Sequence, residues 1–600
     1  MSVRYFYRVR LLFIIFILLF TALAGRLFKL QMLEGDKLAA LADKIRTQIV
    51  SGEEFPRGDI LDRHGVTLLD TAEQPAVAVF PAMLQETGQV IAHLGDVLGL
   101  PEEKIRDRIE LAVNYYAKAP FILKTNLTPL EKKQIEQLAL PGVYTVPVQS
   151  RYGPNSLAVH LIGHLNSIDE ATWEKLKAEG KTGPGKNSYK KSDVIGVKGI
   201  EAIYESYLRG NEPSHYLAAT VDAKGRLLAG LGFERIDNAA AEKERANVVL
   251  TLDKQIQNIV EEIMDKRIAK GAAVVMRVPT GEVLAMASRP TFDQNAVFKY
   301  LGKSERRYEF INRALEHFYP GSVFKVLIAA AALEEGIVQP DEKFNCTGEF
   351  LFDSGLAIPC WKEEGHGLLT FSEALAQSCN PTFIEVGLRL GREKIIEYAR
   401  RFGLLDEVLI GYNLNDFPSV AIAKSSPAAI GNASIGQQGI MLSPLQVAGM
   451  IATVANGGIY QQPRVVERVE NGVGEVLRMW QTPAGTRVIS RPTAAKLQAM
   501  LAAATTSGTA KNAWIEGWGT AGKTSTAQTG SQSVDGKEII NAWFAGFAPL
   551  EHPEYAVVVM VEDGTAGGTD AAPVFKEIVT KILVRDMNTS EKAQTESESK

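Results

Sequence analysis

The chain is 600 residues long, 46% hydrophobic and 22% charged, with a formal net charge of −5. That length implies more than one domain, and the charge balance leaves no basic footprint for nucleic acid. Three cysteines exclude a disulfide-dense scaffold. Arg4, Arg8 and Arg10 precede an uncharged apolar run from Leu11 to Gly25. The run is short for a span of roughly twenty residues, but Arg10 and Arg26 can snorkel from its ends. Residues 1–10 therefore read as a cytoplasmic stub and 11–31 as a transmembrane anchor. Ala22-Leu23-Ala24 keeps a cleaved signal peptide open as the rival. Either reading exports the bulk of the chain, and the three arginines favour a cytoplasmic N-terminus.

Gln31 to Gln48 carries a helical pattern, with Leu33, Leu38, Leu41 and Ile45 at usable spacings. Phe55 to Gly65 reads as a strand and turn with surface charges. Residues 70–245 mix short strands and helices with long polar loops, without a catalytic constellation. His160 and His164 stand four apart but have no third ligand near them. A charged, alanine-rich linker, Asn238 to Ala246, ends this domain. Asn247 to Leu252 then reads as a strand, and Asp253 as the N-cap of a helix through Ile263. Gly271 to Arg277 and Glu282 to Ser288 form a hairpin pattern around Pro279-Thr280-Gly281. Three more strands read at Gly522 to Gln528, Ala542 to Ala548 and Tyr555 to Val561. An antiparallel sheet with helices on its faces is the economical assembly, over residues 246–584. Residues 585–600, rich in Ser, Thr, Glu and Lys, read as a disordered tail.

Within that second domain, Tyr319-Pro320-Gly321-Ser322-Val323-Phe324-Lys325 opens an apolar, alanine-rich run. The Pro-Gly turn predicts a helix starting at or near Ser322, which puts Ser322 and Lys325 on one face. A serine hydroxyl needs a base within hydrogen-bond reach, and a buried lysine with a lowered pKa can be that base. The alternative for Ser322 alone is a plain N-cap. Ser188-Tyr189-Lys190-Lys191 and Ser597-Glu598-Ser599-Lys600 repeat the spacing, but in polar runs with no apolar face. Two partners separate Ser322 from them: Ser378-Cys379-Asn380, and Lys523-Thr524-Ser525-Thr526-Ala527-Gln528. The order Ser-x-x-Lys, Ser-x-Asn, Lys-Thr-(Gly/Ser) is close to the signature of penicillin-binding proteins and serine β-lactamases.

On these motifs the chain resembles a class B penicillin-binding protein, a membrane-anchored peptidoglycan D,D-transpeptidase of the elongation, division or sporulation type. The resemblance extends to the anchor, Pro56 to Gly65, Gly196 to Glu205, Ser434-Ile435-Gly436-Gln437 and Asn541 to Pro549. It implies a non-catalytic pedestal (32–245, of the dimerisation type) before a serine β-lactamase-like transpeptidase domain, an α/β architecture overall. It further implies a stem peptide ending in D-Ala-D-Ala as substrate, Ser322 as nucleophile and Lys325 as base. Ser378, Asn380 and Lys523 would complete the catalytic set; Thr524, Ser525 and Thr526 would hold substrate. No organic cofactor is implied, and the expected partner is a membrane glycan polymerase. A β-lactam sensor, a non-catalytic scaffold of wall synthesis and a D,D-carboxypeptidase are the alternatives.

Two features depart from the family pattern. Ser525 stands where the third motif has glycine, so its Cβ could crowd substrate along the strand, or its hydroxyl add a contact. The other is the cysteine set. Cys346, Cys360 and Cys379 lie in one region with His366 among them, and Cys3His is a tetrahedral zinc set. A Cys346–Cys360 disulfide and three unbonded buried thiols remain open beside it.

Overall fold

The computed structural model describes every residue except 1–2, 36, 39–46, 51–56, 116–119, 184–187, 192, 211–214, 223–226, 228–232, 238–242, 244, 301–307, 406–407, 415–416, 425, 533–535 and 599–600. Half of the helix read over Gln31 to Gln48, and most of the linker Asn238 to Ala246, lie outside the described residues; Thr47–Ile49 is a strand. The chain forms two compact units, Met1–Pro56 with Ala72–Arg151 and Glu212–Glu242, and Arg57–Thr71 with Tyr152–Asn211 and Lys243–Lys600.

The first unit begins with helix α1 (Val3–Phe28). Tyr7–Leu33 is long and apolar enough to cross a membrane. Beyond it, strand Ala72–Val79 lies between Phe121–Lys124 and Val143–Ser150, antiparallel to both. Alternation along this strand sends Val77 and Val79 to a core with helices Thr87–Leu98 and Pro129–Leu138. Ala76 and Ala78 face the opposite way, toward Leu217 and Ala219 of a second small sheet. The period of two in the sequence is thus used on both faces.

The second unit carries the site. In chain order its main elements are α2 (Lys254–Arg267), β1 (Gly271–Arg277), β2 (Val283–Arg289), α3 (Lys325–Glu334), α4 (Asn380–Leu390), α5 (Pro444–Ala455), β3 (Ala521–Gln532), β4 (Glu538–Ala548), β5 (Tyr555–Val561) and α6 (Ala572–Glu598). The sheet order is β2-β1-β5-β4-β3, all antiparallel. The last three strands pair in sequence order, and β3 becomes an edge. Asp253 caps α2 through the N–H groups of Gln255 and Ile256. Phe544 and Ala548 of β4 face a core shared with α2 and α6. Trp543, Ala545 and Phe547 face the other core, with α3 and α5. Val326 to Ala332 of α3 are wholly buried. A helix apolar on every side is a central one, so whatever α3 carries is held rigidly.

Two expectations are corrected. The region 585–598 continues α6 rather than forming a disordered tail; Phe575, Ile578, Val579 and Ile582 anchor the helix in the core, and the Glu, Lys and Ala that follow are good helix formers. The compact units are not continuous segments: Arg57–Thr71 and Tyr152–Asn211 pack with the residues that follow the boundary read at 246. The charges of Arg57 and Asp62 are buried, not on the surface. Arg57 donates from Nε and Nη2 to Glu201 Oε2, at 3.0 and 2.8 Å, and Tyr152 donates to Glu201 Oε1 at 2.8 Å. Asp62 accepts from the N–H groups of His64, Val66 and Lys254, which ties this motif to the start of α2. Removing one partner strands a buried charge. Arg57→Ala is therefore expected to lower unfolding free energy by about 3–5 kcal/mol, read as a lower denaturation midpoint.

Candidate active site

Ser322 sits in a 3₁₀ turn, Gly321–Phe324, that runs directly into α3. The α-helix thus begins at Lys325, one turn later than its sequence suggests. Gly321 has φ +53°, a left-handed conformation that glycine adopts freely, and its N–H donates to the Gly436 carbonyl at 2.9 Å. Lys325 is fully buried. Its Nζ donates to the Ser378 carbonyl (2.8 Å), to Asn380 Oδ1 (2.7 Å) and to Ser378 Oγ (3.4 Å). One ammonium therefore joins the first two motifs. Burial lowers the pKa of Lys325 to about 8, against an opposing pull from Cys379 and Cys360.

Ser378 reaches this lysine through an unusual backbone. It follows the capped helix Phe371–Ala376 and has φ +57°. A non-glycine residue held left-handed costs of order 1 kcal/mol or more, and such strain persists where the surroundings over-determine it. Here the surroundings are the Ser378 N–H bonded to Leu375, the Cys379 N–H bonded to Ala374, and Lys325 on the Ser378 carbonyl. Asn380 opens α4, and its Nδ2 donates to the Pro359 carbonyl at 3.1 Å.

The third motif lies along the edge strand β3. Lys523 is buried, with Nζ donating to the Thr524 carbonyl at 2.9 Å. Burial, and then the nearby Lys325 charge, hold its pKa well below the ordinary lysine value. Thr524 shares a 2.8 Å hydrogen bond with Thr509, and Thr526 is exposed, its Oγ1 accepting from the Gly567 N–H at 3.3 Å. Neither Thr509 nor Gly567 was singled out from sequence. The Gly567-Gly568 pair was the available signal, since paired glycines mark close backbone approach. Ser525 departs from expectation. It alternates away from Thr524 and Thr526, is 2% exposed, and faces the Gly321 turn rather than the substrate edge.

A family model described as the penicillin-binding protein transpeptidase domain matches residues 271–580, and the penicillin-binding protein dimerisation domain matches 53–234. Stage V sporulation protein D of Bacillus subtilis is 31% identical over 96% of this chain and 85% of its own length. The peptidoglycan D,D-transpeptidase MrdA of Acinetobacter baumannii is 27% identical over 95% of this chain and 87% of its own. The chain is a class B penicillin-binding protein. Among solved structures, a ceftriaxone acyl-enzyme complex of penicillin-binding protein A from M. tuberculosis is 26% identical, with a TM-score of 0.52, over 62% of this chain and 96% of that one.

Behind the Ser-x-Asn motif, this penicillin-binding protein carries a feature its catalytic set does not use. Cys346, Cys360, Cys379 and His366 offer ligand atoms that all lie within 4.8 Å of one another. All three thiols are free and buried, so no disulfide joins Cys346 to Cys360. Cys360 Sγ lies 3.6 Å from His366 Nδ1, and Thr382 donates to Cys379 Sγ at 3.3 Å. Contact with Cys379 pulls the Cys360 thiol below its ordinary value, and the same contact pushes Cys379 up. His366 Nε2 is buried and has no partner among the described residues. A donor set of three sulfurs and an imidazole, all buried or half-buried, fits a tetrahedral zinc ion.

Proposed function

We propose that this protein cross-links peptidoglycan by D,D-transpeptidation through an acyl-enzyme on Ser322. One observation carries the reading: a buried lysine, lowered to about 8, one turn after the serine and bonded to both Ser378 and Asn380. The Ser322 Oγ attacks the penultimate D-Ala carbonyl of a stem peptide, and neutral Lys325 takes its proton. The N–H groups of Ser322 and Thr526 receive the oxyanion. Ser378, beside Lys325 and supported by Lys523, passes a proton to the departing D-Ala amine. Asn380 orients the substrate amide, while Lys523 and Thr524 hold the terminal carboxylate. An amino group of a second stem peptide then attacks the ester carbonyl, frees Ser322 and completes the cross-link. Incubation with a stem peptide ending in D-Ala-D-Ala and an amine acceptor is expected to release one D-Ala per cross-link formed. Release without cross-linked product would establish a carboxypeptidase instead.

The arginines before the apolar helix support a cytoplasmic N-terminus with the catalytic unit outside. The family's usual partner, a membrane glycan polymerase, would meet the anchor and the dimerisation domain. A single structural zinc on Cys346, Cys360, Cys379 and His366 completes the proposal; it would supply a fixed point behind Ser378 and Asn380. Protein purified without chelator or histidine tag is expected to contain about one zinc per chain. Cys379→Ser should lose that zinc and acylate about 10–100-fold more slowly. Elemental analysis finding no metal in wild type would refute the site.

A further inference from the structure

The hydroxyl of Ser525 is buried, yet has no hydrogen-bond partner among the described residues. Net stability gains nothing from a buried hydroxyl in that state, which is less favourable than a bonded one. Its position explains what it does instead. A Cβ on Gly321 would stand 2.3 Å from Ser525 Oγ and 3.0 Å from Ala527 Cβ. The side chains of Ser525 and Ala527 thus fill the space that glycine leaves free beside the nucleophile. Gly321 is also approached closely by a second segment: a Cβ on Gly436 would stand 2.0 Å from the Gly321 carbonyl oxygen, and Gly436 accepts the Gly321 N–H. The turn that presents Ser322 is therefore clamped between the Gly436 backbone and the Ser525 side chain.

The strand register carries this contact to the reaction. Ser525 pairs with Trp543 and Thr526 with Ala542, so the side chain pressing on Gly321 is one residue from Thr526, just as Gly321 is one residue from Ser322. The two N–H groups assigned to the oxyanion, on Ser322 and Thr526, are thus each one residue along the chain from that contact. We propose that Ser525 is a positioning residue whose bulk against Gly321 sets the separation of the Ser322 and Thr526 amides, in place of the glycine usual at that point in the family. The proposal rests on the transpeptidase reading and assigns the role to the bulk of the side chain, whose Oγ is the atom that meets Gly321, and not to a hydrogen bond, since that oxygen has none among the described residues.

Two variants remove that bulk in steps. Ser525→Ala removes the Oγ that meets Gly321 and is expected to lower the rate constant for acylation by a penicillin about threefold. Ser525→Gly removes the Cβ as well and is expected to lower it about tenfold, a partial loss compared with removing an oxyanion donor. Hydrogen exchange over residues 318–326 should rise in Ser525→Ala and rise further in Ser525→Gly. A structural role alone would lower thermal stability without changing the ratio of acylation rates at a temperature where both variants are folded. Equal acylation by Ser525→Gly and wild type overturns the proposal, as does a loss in Ser525→Ala that exceeds the loss in Ser525→Gly. Absence of any wild-type acylation would instead count against the transpeptidase reading, and hydrogen exchange then still decides whether Ser525 holds the turn.

Discussion

Ser322→Ala is expected to release no D-Ala from a stem peptide and to form no cross-link, while melting within a few degrees of wild type. In the proposed reaction the serine oxygen becomes the ester oxygen, and the other groups assigned to the site do not replace it. Its loss from a folded protein should be cheap. The residue is half-buried in a 3₁₀ turn that is held from outside, by Gly436 on the Gly321 N–H and by the wholly buried α3 that follows. The substitution also removes no side-chain cap, since the turn has none. A melting curve collapsed by this one change would mean that the turn depends on the hydroxyl, contrary to this packing.

Lys325→Met should lower acylation by about a thousandfold, within the range that a positioned general base supplies. The lysine's burial explains why it can act near neutrality. At pH 7 a lysine at its ordinary pKa is neutral in about one molecule in three thousand; with the pKa lowered to about 8 it is neutral in about one in eleven. The rate constant for acylation should therefore rise with pH along a limb centred near 8, and fall about tenfold per unit below it. The methionine variant should lose that limb. The sign for stability is the reverse of that for a stabilised ion. The folded protein releases the Lys325 proton at about 8, whereas the unfolded chain keeps it to about 10.5. The cost of burying this lysine is thus complete below pH 8 and fades between the two values. Lys523, lowered in the same direction, adds to the rise. A flat acylation profile from pH 6 to 9 would remove Lys325 from the role of base.

The sequence showed the catalytic sheet well because its strands are short apolar runs bounded by turn residues, and because β3, β4 and β5 pair with their neighbours in the chain. The meeting of Lys325 with Ser378 and Asn380 follows motifs that spacing made visible in the sequence; the catalytic roles given to Ser322, Lys325, Ser378, Asn380 and Lys523 belong to the proposal. What remained hidden depends on partners distant in sequence. Arg57 looks like a surface charge until Glu201, 144 residues later, is placed against it. The left-handed backbone at Ser378 has no local signature, because it is held by Lys325 and by the end of the preceding helix. Ser525 was weighed against substrate because its motif borders substrate; the pleat of β3 turns it instead to the nucleophile. The cysteines could be grouped by proximity in the chain, but only the fold brings Cys346 and Cys379, on different elements, to one point.

The most direct test of the central claim is peptide mapping by mass spectrometry of the full-length protein after reaction with a penicillin. The account predicts a stable adduct equal to the intact drug, carried by the peptide containing Ser322. An adduct on any other residue, or none at all in folded protein, would contradict it.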